Sequence, residues 1–372
     1  MDDIEKRAWA EIDLSALEHN YREIRAHLPA GCRFLGIVKA DAYSHGAVVI
    51  SKELERLGAD YLAVACLDEA VTLRSAGITM PILILGTTSA EYARELAQYD
   101  LTQTVCSLEM CRALSERLNG LSLKVHYKID SGMGRLGFSP DEAVEDVSKA
   151  LQLPNLHAEG IFTHFAVSDE YGDPFTQKQF ELFTDIVAQI ESHSGHHFQI
   201  RHCANSGAVI NYPHMCLDMV RPGLALYGHY PAAEHGELEL RPVLQFKARI
   251  SAVHIHYPGE TISYGRKFEV KGHPIRVAVI SVGYADGLQR ALSGKMQVLI
   301  NGRRAQQIGR ICMDMCMVEV TDVPCEVGDE VTIFGTNHGN TISVDELAAL
   351  ADTISYELLC ALSRRVPRVY LR

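Results

Sequence analysis

Apolar runs of four to seven residues recur along the first 230 positions, at Phe34–Val38, Tyr61–Cys66, Pro81–Leu85, Thr102–Cys106, Leu123–Ile129, Ala158–Thr163, Gln199–Cys203 and Leu217–Val220. Their length and punctuation predict buried strands. Between them lie stretches such as Leu67–Arg74, with apolar residues three and four apart, which predict amphipathic helices. The longest, Phe175–Ser192, puts Phe180, Phe183, Ile186 and Ile190 on one stripe. Parallel strands need crossover helices, so eight strands alternating with helices in about 200 residues predict a (β/α)8 barrel. A doubly wound open sheet is the alternative. It would want a glycine-rich turn after its first strand, where this chain has Lys39-Ala40-Asp41.

The pattern changes after Tyr230. A polar, acidic stretch from Pro231 to Leu240 marks a boundary. Residues 1–236 are assigned to the barrel domain and 237–372 to a second domain. The second domain alternates with period two at Gln245–Ile255, Ile275–Val282, Met296–Ile300, Met313–Val320 and Glu330–Phe334, with a hairpin turn at Asn301-Gly302 and a helix over Val344–Ala351. It therefore reads as mainly β. The chain has no internal repeat and no low-complexity segment.

A chain of 372 residues exceeds one ordinary core, in keeping with two domains. The net charge of −12, with no clustered basic run, argues against a nucleic-acid surface. The first residues are acidic and lack an apolar core, so no signal peptide is expected. No apolar stretch reaches the roughly 18 residues that span a bilayer. These features predict a cytoplasmic protein without membrane contact. Ten cysteines are scattered, with no Cys-x-x-Cys pair, as expected of buried thiols in a reducing compartment. Cys312 and Cys316 lack a second ligand pair, and the histidines between His193 and His202 lack cysteine or carboxylate partners, so no metal is expected.

The segment Arg33-Phe34-Leu35-Gly36-Ile37-Val38-Lys39-Ala40-Asp41-Ala42-Tyr43-Ser44-His45-Gly46 stops an apolar run at a lysine. An amine at the mouth of a buried strand can be desolvated and used in its neutral form as nucleophile or base. A strand-end lysine pointing to water is the ordinary alternative. In a (β/α)8 barrel the active site lies at the carboxyl ends of the strands, and phosphate is often held after strands 7 and 8. Lys39 ends the first expected strand, Arg135 follows the fifth, His164 ends the sixth, Ser206 follows the seventh, and Arg221-Pro222-Gly223-Leu224 follows the eighth. Taken singly, each has a structural reading: Tyr43 as a packed aromatic, Ser206 as a helix N-cap, Gly223 as a turn glycine, His164 as a core histidine.

The Lys39 segment resembles the cofactor-lysine signature of the alanine racemase family. The resemblance continues through Lys128–Gly137, Gly160–Ala166, His202–Ser206, Val220–Gly228, Ile262–Arg266, Gly309–Met315 and Arg365–Arg368, in family order over nearly the whole chain. It implies that Lys39 carries pyridoxal 5'-phosphate (PLP), that Tyr43, Asn205, Ser206, Tyr356 and the amides of Gly223 and Leu224 surround the phosphate, and that Arg221, backed by His164, meets the pyridine nitrogen. Most PLP enzymes place a carboxylate there. Arg135 would contact cofactor and substrate carboxylate, with Lys128 as a possible carbamylated lysine beside it. Tyr264 would be the second base, brought with Tyr284, Cys312, Met313 and Asp314 from the partner of a homodimer with shared sites. The Met313 amide would help bind the substrate carboxylate. Residues 7–14 would join the C-terminal domain. The implied reaction interconverts L- and D-alanine by two bases, supplying D-alanine for peptidoglycan. Serine racemisation is the alternative within the family. A PLP amino-acid decarboxylase of similar architecture would carry a carboxylate where Arg221 stands. Met315 replaces the glutamine common in the family after Cys-Met-Asp, which bears on substrate selectivity.

Overall fold

The structure, a computed structural model, describes residues 6–231 and 238–372. The boundary expected at residue 236 and residues 1–5 lie outside the described residues. The chain forms two compact units: residues 17–42 with 47–241, and residues 1–16 with 43–46 and 242–372.

In the first of these units, eight short strands pair in parallel: β2 (Arg33–Ile37), β3 (Tyr61–Val64), β4 (Ile82–Ile84), β5 (Thr102–Val105), β6 (Leu123–Lys128), β7 (Leu156–Phe162), β8 (Ile200–His202) and β9 (Met219–Val220). The sheet runs β8-β7-β6-β5-β4-β3-β2-β9. Its ends meet through the parallel bridge Asn205–Arg221 and the hydrogen bond from Arg221 N to Ala204 O (2.9 Å), which closes a barrel. Strands β3, β4 and β5 are buried at every position, as expected when helices cover one face and the barrel interior the other. The long helix covers Pro174–Ser194, capped by the Asp173 side chain at Phe175 N. Its buried stripe is Phe183, Ile186, Val187 and Ile190, with Phe180 at its margin.

Strand β7 departs from simple alternation. Its register against β6 slips between Val125–Ala158 and His126–Gly160, so Glu159 is an extra residue in a β-bulge.

The second unit contains β1 (Ala8–Asp13), which pairs antiparallel with β10 (Leu244–His256) and parallel with β19 (Arg368–Leu371). Strands β11 (Thr261–Ile262) and β12 (Phe268–Glu269) form a small hairpin. Then come β13 (Ile275–Ile280), β14 (Gln297–Ile300), β15 (Arg303–Ile308), β16 (Cys316–Glu319), β17 (Glu330–Asn337) and β18 (Asn340–Ile342). Pairing runs around a ring, β10-β13-β16-β15-β14-β17, and returns to β10. The helix over Val344–Ala351 is capped by Ser343, whose hydroxyl accepts from Glu346 N at 3.0 Å.

Two sequence expectations need adjustment. The run from Met313 is strand only from Cys316, because Cys312 N donates to Met315 O (2.9 Å) and folds 312–315 into a turn. The hairpin turn at Asn301-Gly302 implies a return strand, but Arg303-Arg304-Ala305-Gln306-Gln307 shows no apolar alternation that would delimit β15. Its pairing with β14 and β16 makes it a strand. Among the described residues, no helix is long and apolar enough to cross a membrane.

Candidate active site

Within the barrel unit, the residues marked by the sequence gather at the carboxyl ends of the strands. Lys39 stands two residues past β2, Lys128 ends β6, His164 follows β7, and Arg221 follows β9. The first turn has an unusual backbone. Ala40, Asp41, Ala42, Tyr43 and Ser44 all have φ between 52° and 65°, a left-handed turn made without glycine. Such a conformation costs about 1–2 kcal/mol per residue for L-amino acids, so the surroundings must hold it. Ala42 N donates to Val38 O at 2.9 Å. The Glu69 carboxylate accepts Ala40 N and Ala65 N, each at 2.7 Å, and Asp41 Oδ1 accepts Ala47 N at 2.8 Å. The Tyr227 hydroxyl donates to Ile37 O at 2.7 Å, fixing the strand just before the lysine.

Exposed Ala40 offers a direct test of this strain. Ala40→Gly relieves the left-handed penalty but adds freedom to the unfolded chain, for a net stabilisation of about 0.5–1 kcal/mol. Denaturant unfolding should register that gain. A loss of stability would mean that Ala40 is not left-handed.

Arg221 is buried, and both of its terminal nitrogens are engaged. One of its terminal nitrogens, Nη1, donates to His202 Nδ1 at 2.8 Å. The other, Nη2, donates to Thr163 O (2.8 Å), Cys203 O (3.0 Å) and His164 Nδ1 (3.3 Å). None of these partners is a carboxylate. Burial lowers its pKa to about 10, which still leaves it charged at neutral pH. The Phe162 ring lies under it, 5.3 Å from the guanidinium carbon, and also 5.6 Å from Lys128 Nζ. Burial, then Arg221, Arg135, Lys128 and Lys39, push His164 well below its usual range, so its ring is neutral. Burial, Arg135 and Arg221 likewise bring Lys128 down to about 8. Asp130 accepts the backbone N–H groups of Gly132, Gly134 and Arg135, which shapes the turn carrying Arg135.

Ser206 and the turn after β9 form a second polar cluster. Ser206 Oγ accepts Gly223 N (2.9 Å) and Ala225 N (3.3 Å), so hydroxyl and amides converge on one point beside Leu224. The helix N-cap here is Asn205 rather than Ser206. Asn205 accepts from Ala208 N at 3.1 Å and from the Ser168 hydroxyl at 2.6 Å. Four cations around a neutral histidine, with a hydroxyl and amide cluster nearby, suit a ligand carrying several negative charges. PLP, with its phosphate and phenolate, fits that donor set.

The β-rich unit carries Tyr43, Tyr264, Tyr284, Cys312, Met313, Asp314 and Tyr356. Tyr43 is buried there, 5.7 Å ring to ring from Tyr356. Burial and Tyr356 push its phenol far up, so it keeps its proton and can donate. Tyr264, Tyr284, Met313 and Met315 are 71%, 43%, 53% and 48% exposed, an apolar group on one surface rather than in a core. Backbone contacts tie the group together. Tyr284 N donates to Cys312 O and Ala285 N to Met313 O, both at 3.0 Å, and the Ser263 hydroxyl donates to Arg310 O at 2.7 Å. Gly283 is required at this approach, since a Cβ there would fall 2.3 Å from Cys312 O and 2.4 Å from Met313 O. Arg365 spans Asp286 (2.7 Å) and Asp314 (2.7 Å), and Arg7 also pairs with Asp286.

His126, Glu159, Tyr61 and His202, which extend the contacts of Arg221 into the barrel, carry no role legible in the sequence. The available signal was Glu159-Gly160 interrupting an otherwise apolar strand. Among the described residues no group of histidines, cysteines and carboxylates is arranged to hold a metal ion.

Residues 12–231 match the family described as Alanine racemase, N-terminal domain, and residues 243–370 match Alanine racemase, C-terminal domain. The chain is 47% identical to the alanine racemase of Desulfovibrio desulfuricans over 375 residues, covering 100% of both proteins. It is 43% identical to that of Methanococcus maripaludis, covering 98% of each. The solved alanine racemase of Clostridium difficile 630 superimposes with a TM-score of 0.94 at 40% identity, over 99% of this chain and 97% of that one. That of Bacillus anthracis with bound L-Ala-P gives 0.93 at 34% identity, over 99% and 96%. With both halves of one family matched from residue 12 to residue 370, and solved members superimposing along nearly its full length, the chain belongs to the alanine racemases, a family of amino-acid isomerases.

Proposed function

We propose that the protein interconverts L- and D-alanine with PLP held at the mouth of the barrel, using Lys39 and the partner subunit's Tyr264 as the two bases. The observation that carries the cofactor reading is the partner set of Arg221: two histidines and two carbonyls, with no carboxylate. An arginine that already donates to neutral acceptors cannot accept a proton from a ring nitrogen, unlike the carboxylate of most PLP enzymes. This also separates the reading from an amino-acid decarboxylase.

PLP would supply an electron-withdrawing ring that acidifies the substrate's α-proton. Lys39 would hold it covalently, with Ser206, Asn205 and the Gly223 and Leu224 amides at the phosphate, joined by the Tyr43 and Tyr356 hydroxyls. Arg221, backed by His164, would hold the ring nitrogen. Arg135 would bind the phenolate oxygen and the substrate carboxylate. The lowered pKa of Lys128 makes its neutral amine available to add carbon dioxide; a carbamate there would replace a cation beside Arg135 with an anion.

Racemisation removes a proton from one face of the α-carbon and returns one to the other. The Lys39 amine would serve the face that yields D-alanine its proton, and the Tyr264 phenol the opposite face. The exposed group around Tyr264 supports a homodimer, in which the partner's Tyr264, Tyr284, Cys312, Met313 and Asp314 complete each site and the Met313 amide meets the substrate carboxylate. D-alanine for peptidoglycan is the product use that the family supports, and the ten free cysteines agree with a cytoplasmic setting.

The test follows the optical signal of L-alanine and, in parallel, of L-serine with purified protein. The L-alanine signal should decay to zero, stop after the cofactor is stripped with hydroxylamine, and return with added PLP. Turnover independent of PLP, or faster on serine than on alanine, would overturn the reading.

A further inference from the structure

A chain of hydrogen bonds leaves Arg221 in the direction away from the site. Arg221 Nη1 donates to His202 Nδ1 (2.8 Å), His202 Nε2 lies 2.9 Å from His126 Nδ1, and His126 Nε2 lies 3.3 Å from Glu159 Oε2, which also accepts the Tyr61 hydroxyl. Both histidines are fully buried, and the His202 ring stacks on Phe162 at 4.6 Å with 6° between planes. The chain runs from the mouth of the barrel to its amino-terminal half, since Tyr61 opens β3 and Glu159 sits in the middle of β7.

The backbone is built for this chain. Glu159 reaches His126 because the β-bulge inserts it as an extra residue. Gly160 makes room for the ring, since a Cβ there would lie 2.7–2.8 Å from three His126 ring atoms.

The chemistry of the two ends allows one proton arrangement. Arginine only donates, and an ionised carboxylate only accepts. With one proton on each imidazole, Glu159 must accept from His126 Nε2–H, His126 Nδ1 from His202 Nε2–H, and His202 Nδ1 from Arg221. The reverse order would set a His202 Nδ1–H against an Arg221 N–H. Two conditions are required, and both hold. Burial raises Glu159, but the bonds from His126 and Tyr61 outweigh it and keep the carboxyl at about 2. Burial also lowers both histidines, so each is neutral.

We propose that Glu159 is a positioning residue, which accepts the far end of the one proton order that Arg221 permits in the Tyr61–Glu159–His126–His202 chain and thereby holds Arg221 as a charged donor in one orientation at the site. The effect on turnover rests on the reading of Arg221 given above, whereas the proton order does not depend on any cofactor.

The experiment has two readouts on the parent, Glu159→Gln, Glu159→Leu and Tyr61→Phe. Nitrogen-15 NMR of labelled histidines, with and without PLP, reports which ring nitrogens carry protons, and alanine kinetics reports kcat and KM. Glutamine can still accept from both His126 and Tyr61 through an oxygen placed where Oε2 stands, so it should keep the order and stay within about threefold of the parent kcat. Leucine cannot accept and leaves the His126 Nε2–H buried without its acceptor, so it should shift that N–H signal and lower kcat about tenfold with KM little changed, on the scale of one buried network bond, while Arg221 still keeps the proton off His202 Nδ1. Tyr61→Phe leaves the carboxylate in place and should keep both order and kcat. A proton on His202 Nδ1 in the parent overturns the proposal even if leucine prevents folding. The stated order with an unchanged kcat in Glu159→Leu overturns its link to the reaction. A parent that does not racemise alanine, yet shows the stated order, would locate the failure in the functional reading instead.

Discussion

Lys39→Ala should eliminate racemisation, lowering kcat/KM by about 10⁴-fold or more, the scale seen when a group that bonds to the reacting species is removed. The fold should survive, because Lys39 is only half-buried and the turn around it is held by backbone and by Glu69, Asp41 and Tyr227. Thermal unfolding of the variant should therefore stay close to that of the parent. A companion measurement identifies the lysine chemically. Borohydride reduction of the PLP-loaded parent, followed by peptide mapping, should attach the cofactor to Lys39 alone. The nearby Lys128 is the demanding control, since its pKa of about 8 also provides neutral amine. Label on Lys128, or on any other lysine, would refute the assignment.

Tyr264→Ala should lower L-to-D turnover about 10³-fold, within the 10²–10⁴ range of a positioned acid or base. It should leave Lys39 able to exchange the α-proton of D-alanine with deuterated water. Tyr264 is 71% exposed on its own chain, so truncation removes no core packing and the variant should fold normally. Mixing it with Lys39→Ala chains tests where the two bases come from. In a mixed dimer one shared site combines both changes, and the other has Lys39 and Tyr264 intact. Two inactive homodimers should then yield mixed dimers with about half of the parent activity per dimer, on symmetry grounds. If verified subunit exchange restores nothing, both bases belong to one chain.

The eight barrel strands are legible in the sequence because a parallel sheet buried on both faces writes itself as continuous apolar runs. Their carboxyl ends then bring Lys39, Lys128, His164 and Arg221 to one face by topology alone. The left-handed turn after Lys39 is not legible. Ala-Asp-Ala-Tyr-Ser carries none of the glycines that usually announce positive φ, and its hydrogen-bond support comes from Glu69, some 30 residues on. The role of Glu159 is hidden for a related reason. A bulge moves a residue to the other face of its strand without changing composition, so strict alternation assigns Glu159 the wrong side. Strand β15 shows the third limit: its residues are polar, so only the Asn301-Gly302 turn announces it, and pairing with neighbouring β14 and β16 decides its conformation.

The six-strand ring in the β-rich unit bears on how that unit can associate. Exposed strand edges are templates on which another polypeptide can add a strand, and closure removes them. Among the described residues, the nine-stranded sheet ends at β18 and β19, of three and four residues, and the β11–β12 hairpin adds edges of two residues each. None of these offers the long flat edge that drives fibrillar growth. Assembly of this unit with another copy is thus channelled toward side-chain faces, where shape and charge select a single partner, and away from open-ended backbone pairing, which would accept any extended chain.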